Sequence, residues 1–354
     1  MKNFFFDFEQ VFNDTYEERE FKKSRLKKLF SRIFLALFIY TIISQLLSTT
    51  IYIVASVAMS PEQYQAFASN YVFTLLISSG VQYLVAFPIF VLLLLKTERG
   101  AYQEKSKLTL KEFAFIFLIG EALMYLGNII GNFFNSIFGV FSGQMPENSV
   151  SEIINAIPIW LIFILMVVVG PIVEELIFRK LMIDRMCLFG DVMAILFSAI
   201  SFGLIHANLY QFFYATFLGI VLGYVYTRTR DVRYTIVLHM IINFMGSIMV
   251  LPVQDAMTKF SALSDLLSKG EPFDALSFAI NGLIVFIYTN MQYGMVAAGF
   301  FALWHCFRKK TFSISTTKEV YLPNRDILKT GFNNIGAILF VAASALLMII
   351  NLFV

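Results

Sequence analysis

Charge is what this chain has little of. Of its 354 residues only 14% are Asp, Glu, Lys or Arg, where soluble globular domains carry about a quarter. That scarcity excludes an ordinary soluble globular protein, whereas the net charge of +3 says little by itself, because the distribution of charge matters more than its sum. Cysteine is scarce too. Cys187 and Cys306 make neither a disulfide framework nor a metal-ligand spacing, and read as small apolar fillers. Histidine occurs three times, so each one inside an apolar stretch needs a reason. What the chain has in abundance is apolar length. Apolar residues make up 58% of it and the mean hydropathy is +0.73. Several separate runs reach the ~20 residues that span a bilayer as a helix, and none alternates as a barrel strand does. The expected fold is all-α, a polytopic membrane helix bundle of about eight or nine transmembrane helices.

Residues 1–32 read as a polar and aromatic leader. Acids (Asp7, Glu9, Asp14, Glu17, Glu18, Glu20) precede a basic cluster at Lys22, Lys23, Arg25, Lys27, Lys28 and Arg32. No small-residue cleavage site follows a short apolar core, so the segment predicts a cytoplasmic leader helix and no signal peptide. Residues 33–354 read as one membrane domain. Apolar runs lie at about 33–59, 71–95, 112–141, 153–178, 192–205, 209–227, 234–253, 275–307 and 334–354. Basic residues fall on every second connection: Lys96 to Lys111, Arg179 to Arg185, Arg228 to Arg233, and Arg308 to Lys310. The mixed loop 254–274 carries Lys259 and Lys269 among acids. The positive-inside rule then predicts a cytoplasmic N-terminus and an external C-terminus in a multi-pass protein of the cell membrane.

Polar residues within the apolar runs carry the functional signal, because a charge at mid-bilayer costs at least about 2.5–3.5 kcal/mol. Glu174 and Glu175 close the fourth run, and Arg179 follows. Glu175 and Arg179 stand four apart with the acid first, the favourable order for a helical ion pair. That pairing leaves Glu174 without a partner on its own helix. Phe202 and His206, and His239 and Asn243, are each four apart and share a helix face. Glu174 lies sixteen residues before Gly190 and His206 sixteen after it, so a hairpin at Gly190 brings them level. Measured from Arg179 and Arg233, Glu174 and His239 sit roughly 8–9 Å inside the interface. Glu121 in the third run is expected to satisfy a neighbouring helix. Gly127-x-x-x-Gly131 and Gly219-x-x-x-Gly223 predict close helix packing. His305, beside Arg308, reads as interfacial and inert.

Apolar surroundings disfavour ionisation of a carboxylic acid and suit it to general-base work near neutral pH. A histidine across from it can orient a water, and a histidine and an amide on one face can donate to an oxyanion. The set therefore fits a hydrolase in which water attacks a peptide carbonyl, Glu174 accepts its proton, and Asn243 with His239 steadies the tetrahedral intermediate. The same glutamate and two histidines, Glu174, His206 and His239, could instead ligate Zn²⁺. No His-Glu-x-x-His motif supports that, so the cofactor expectation is none, with Zn²⁺ the alternative.

Glu174-Glu175-x-x-x-Arg179, Phe202-x-x-x-His206 and His239-x-x-x-Asn243, in that order on successive helices, resemble the CAAX-protease and bacteriocin-processing (CPBP) family of intramembrane endopeptidases. The resemblance covers roughly residues 155–250, the expected catalytic core. It implies Glu174 as catalytic base, His206 as its water-orienting partner and His239 with Asn243 on the oxyanion side. Glu175, Arg179 and Phe202 become supporting residues. It also implies a membrane-associated peptide or protein as substrate, with the lipid bilayer as surroundings and no nucleic-acid partner. A non-catalytic membrane scaffold, a bacteriocin-immunity factor or a transporter is the alternative use of the same polar cluster.

Overall fold

The computed structural model describes residues 14–100, 106–143, 149–309, 314 and 319–353. Among these residues the regular structure is entirely helical, as a backbone immersed in hydrocarbon requires. In chain order the helices are α1 (Tyr16–Ala58), α2 (Pro61–Ala68), α3 (Tyr71–Leu94), α4 (Leu110–Ser142), α5 (Ser149–Ala156) and α6 (Ile159–Phe189). They continue as α7 (Asp191–Ile205), α8 (Leu209–Thr229), α9 (Val232–Ser247), α10 (Leu251–Ser268), α11 (Ala275–Lys309), α12 (Asn324–Phe332) and α13 (Ile335–Ile350). Local sequence sets many of the starts. Thr15 with Glu18, Ser60 with Gln63 and Thr109 with Glu112 form reciprocal capping boxes before α1, α2 and α4. Asn208, Asp231 and Asn334 cap α8, α9 and α13 through their side-chain oxygens.

Seven helices are long and apolar enough to cross a membrane, with α9 and α10 counted as one stretch, Val232–Ser268. The α12–α13 pair, bent by 66°, raises the number to eight. The protein is a multi-pass membrane protein that contacts the lipid bilayer. The fifth expected run, 192–205, does not qualify. Helix α7 has 15 residues, about 22 Å at 1.5 Å per residue, short of the ~30 Å hydrocarbon core. Most of the expected loop 254–274 is the helix α10. Its exposed Asp255–Lys259 and Asp265–Lys269 pairs, four residues apart, give it a polar, loop-like composition while supporting a helix. The leader is not a separate element where it is described, since α1 runs unbroken through it into the first span. Residues 1–13, Lys105 and Lys310, which the leader and basic-loop readings used, lie outside the described residues, as do 144–148 of the expected external loop.

Glycines decide how closely the helices around the site approach. A Cβ at Gly127 would lie 2.5 Å from Tyr214 Cα, and one at Gly219 would lie 2.8 Å from Ala199 Cα. Gly131 approaches the Leu209 and Tyr210 carbonyls, and Gly223 meets Ile195. Both expected small-residue pairs are therefore packing sites, the first joining α4 to α8 and the second joining α7 to α8. Helices α1, α12 and α13 close the other side around Phe30, Phe34, Phe197, Phe332 and Phe340, with Phe30 and Phe197 edge-to-face at 4.9 Å.

At the basic-loop end, Arg230 and Asp191 form a buried ion pair of 2.7 Å with both side chains 4% exposed. Burial pushes the Asp191 carboxyl above its usual range while the facing guanidinium pulls it back. Such a pair adds little net stability but is costly to break.

Candidate active site

Helix α6 carries the acid pair in an unusual backbone. Gly170–Glu175 is α-helical, but the flanking stretches Ile162–Val169 and Leu176–Ile183 are π-helical. Pro171 has no N–H for the ladder, which disfavours a regular α-helix through this point. Wide turns of this kind are rare and concentrate at functional sites. Here their carbonyls accept side chains from other helices and from farther along α6. Met166 O accepts Asn243 Nδ2 at 2.9 Å, and Phe178 O accepts Ser198 Oγ at 2.8 Å. Leu181 O accepts Arg185 Nη1 at 2.8 Å.

The two adjacent glutamates have different surroundings. Glu175 is fully buried, and Arg179, also fully buried, places Nε 3.0 Å from Glu175 Oε2. The contact is an ion pair without hydrogen-bond alignment, and Arg179 Nη2 also lacks a hydrogen-bond partner. Arg179 Nη1 donates to Ser198 Oγ at 3.3 Å, and its guanidinium lies 4.9 Å from the centre of the Phe202 ring. Glu174, by contrast, keeps 29% of its side chain exposed. His239 stands between the two acids. Its Nδ1 is 3.1 Å from Glu175 Oε1 and its Nε2 is 3.6 Å from Glu174 Oε2.

His206 and His239 flank one ring. Phe202 is edge-to-face with His206 at 5.0 Å and with His239 at 5.6 Å between ring centres. His206 Nδ1 lies 2.7 Å from the Phe202 carbonyl. A carbonyl only accepts, so Nδ1 donates and Nε2 is the acceptor of the neutral ring. The chain turns sharply after His206. Ala207 has φ +49°, and Asn351, beyond the end of α13, donates to its carbonyl at 2.8 Å.

The hairpin turn does fall at Gly190, whose φ of 107° suits a residue without Cβ. One sequence expectation needs correction. Arg179, read from the sequence as an exit residue, is sealed inside the bundle. Arg185 lies level with the end of α3, bonding the Leu94 carbonyl at 2.8 Å and the Thr97 hydroxyl. Glu174 is eleven residues from Arg185, up to about 16 Å along the helix. His239 and Asn243 share a face but diverge in contacts, His239 to the two carboxylates and Asn243 to Met166 O. Asn243 keeps its second N–H without a partner.

Sequence reasoning missed Ser198, the Met166 carbonyl and the tyrosines. Tyr40, Tyr83 and Tyr214 lie within electrostatic range of Glu174. The Tyr83 hydroxyl sits 3.3 Å from where a Cβ on Gly170 would be, one helical turn before Glu174 on the same face. Gly170-Pro171 was the available signal for the distorted helix. Glu121 has no hydrogen-bond or ion-pair partner among the described residues, contrary to the expectation that it satisfies a neighbouring helix. No three His, Cys, Asp or Glu side chains among the described residues are grouped to hold a metal ion.

Residues 156–245 match the model of the family described as type II CAAX prenyl endopeptidase Rce1-like. The matched segment is about a quarter of the chain. It contains Glu174, Glu175, Arg179, Phe202, His206, His239 and Asn243, which are all the residues the sequence motifs singled out. The chain is also similar to a Bacillus subtilis (strain 168) protein named "Putative membrane peptidase YdiL", with 30% identity over 151 residues. That alignment covers 42% of this chain and 60% of the relative's length. No solved structure matches the chain. At the family level these similarities support a membrane protease.

Proposed function

We propose that this protein is an intramembrane endopeptidase that hydrolyses a peptide bond in a membrane-associated peptide or protein. The observation that carries this reading is the division of the acid pair. Glu175 is buried between Arg179 and His239, while its neighbour Glu174 stays partly open and faces His239 Nε2. In the proposed reaction Glu174 removes a proton from a water as its oxygen attacks the peptide carbonyl carbon. Glu174 then returns that proton to the departing amine as the C–N bond breaks. His206, with Nδ1 committed to Phe202, offers Nε2 to the second hydrogen of the water. In this reading the spare N–H of Asn243 stabilises the oxyanion. His239, its Nδ1 donating to Glu175, holds its ring against both carboxylates and shares a proton or a water with Glu174. No step is routed through a metal.

The basic ends of the helices support placing the N-terminus and the Leu94–Thr97 level at the cytoplasmic face of the cell membrane. The test compares peptides released from membranes of cells carrying wild type, Glu174→Gln or His206→Ala. Loss of the removed proton acceptor is expected to lower cleavage at least about 100-fold. Unchanged cleavage in both variants would leave the scaffold, immunity or transport reading in place of this one.

A further inference from the structure

At the basic-loop end of the bundle, α1 and α12 enclose a cleft of about 370 Å³, well away from the acid pair. Helix α1 supplies Glu20, Lys23, Ser24 and Lys27; α12 supplies Asp326, Lys329 and Thr330, with Asn333 directly after its end. Both stripes have the spacing i, i+3, i+4, i+7 that lines up one helix face. Both also follow the same order: acid, lysine, hydroxyl, then lysine or amide. The two helices run in the same sense. Asp326 meets Arg19 and Lys23, and further along Gly331 meets Phe30 and Gly336 meets Ser31. The acids therefore gather at one end of the cleft and the hydroxyls at the other.

The acid end is already neutralised. Arg19 holds Asp326 through Nη2 at 2.7 Å and Nε at 2.9 Å, and Lys23 holds Glu20 at 2.8 Å. Lys27 and Lys329 have no side-chain partner among the described residues. With Ser24, Thr330 and Asn333 they leave an end made of ammonium groups, hydroxyls and an amide, all able to donate. Just below it Phe30, Ile327 and Gly331 are buried, and the apolar runs begin at Ile33 and Ile335. The cleft thus sits at headgroup depth, where basic pockets between helices receive anionic lipid headgroups.

We propose that the α1–α12 cleft binds a phosphate group at the membrane surface, with Lys27 and Lys329 as its cationic ligands and Ser24, Thr330 and Asn333 as its hydrogen-bond donors. An anionic phospholipid and free phosphate share this chemistry, and the test separates them. Full-length purified protein is titrated with phosphatidylglycerol, with phosphatidylcholine and with inorganic phosphate, and bound lipid is counted by native mass spectrometry. The variants are K27Q/K329Q, the charge-preserving S24A/T330V, and a control, K259Q, in the distant helix α10. Wild type is expected to retain phosphatidylglycerol over phosphatidylcholine. K27Q/K329Q should weaken that binding roughly 30-fold, from about fivefold for each lysine contact of about 1 kcal/mol. S24A/T330V should weaken it less, and K259Q should not change it. Displacement of the lipid by inorganic phosphate identifies the phosphate group as what is recognised. Phosphate binding without lipid preference makes free phosphate the ligand. Equal lipid and phosphate binding by wild type and K27Q/K329Q, or an equal loss in K259Q, overturns the proposal. Lys27 and Lys329 are exposed and unpaired, so the double variant is expected to elute and unfold as wild type does, which a thermal scan checks.

Discussion

Glu174 and Glu175 share a peptide bond, yet one step along a helix turns the side chain by about 100° and changes what surrounds it. Glu175 faces inward, where an unpaired charge is costly, and Arg179 and His239 answer it. Replacing Glu175 with Gln strands a fully buried guanidinium, a loss of about 3–5 kcal/mol. Thermal unfolding in detergent should therefore fall sharply for Glu175→Gln and stay near wild type for Glu174→Gln. Equal losses in the two would contradict the division of roles. Asn243 tests the oxyanion side. Its amide holds Met166 O with one N–H, so Asn243→Ala is expected to lower kcat about 100-fold while KM changes little. A change confined to KM would make Asn243 a substrate-binding residue. The ion pair could be anticipated from the four-residue spacing. The position of His239 between both acids could not, because it depends on the side-chain direction of a helix more than fifty residues away.

Among the elements, α6 and α8 do most of the positioning. The π-helical turns of α6 present carbonyls at Met166 and Phe178 to Asn243 and Ser198, tying α9 and α7 to the helix of the acid pair. Helix α8 meets α7 through Gly219 and α4 through Tyr214 against Gly127. Gly219→Leu places a side chain against the α7 backbone, at a cost of about 1–3 kcal/mol, and pushes away the helix that ends at His206. Activity should fall with stability. Gly294→Ala on α11, where nothing lies within 4 Å of the added carbon, is the matched control and should leave both unchanged or slightly raise stability. Retained activity in Gly219→Leu would mean that the α7–α8 contact does not position His206. The glycine spacing announced close packing in the sequence. It did not announce the partners, because x-x-x spacing defines a face and leaves open which helix covers it.

Across the whole molecule, α13 lies against α1 and runs in the same direction, so the two chain ends approach opposite ends of the bundle. Phe353 reaches Phe138 near the end of α4, far from the Glu112–Arg228 pair at its start. Reporter tags fused at the two ends are expected to be protected on opposite sides of the membrane, the N-terminal one in the cytoplasm. Protection of both tags on one side would require a different path for α12 and α13.

The sequence alone determined the class of the protein, the order of its apolar runs and the residues proposed for the site. Those follow from local properties: too few charges for a soluble chain, apolar length matched to a bilayer, and four-residue spacings that share a helix face. Only the tertiary structure decided that α7 is too short to span and that most of the polar loop 254–274 is helix. It also placed Arg179 inside the bundle, and His239 between both acids. Each of these depends on which distant surface covers a residue. A charge reads the same in a sequence whether water surrounds it or a buried carboxylate does, and only packing distinguishes Glu174 from Glu175.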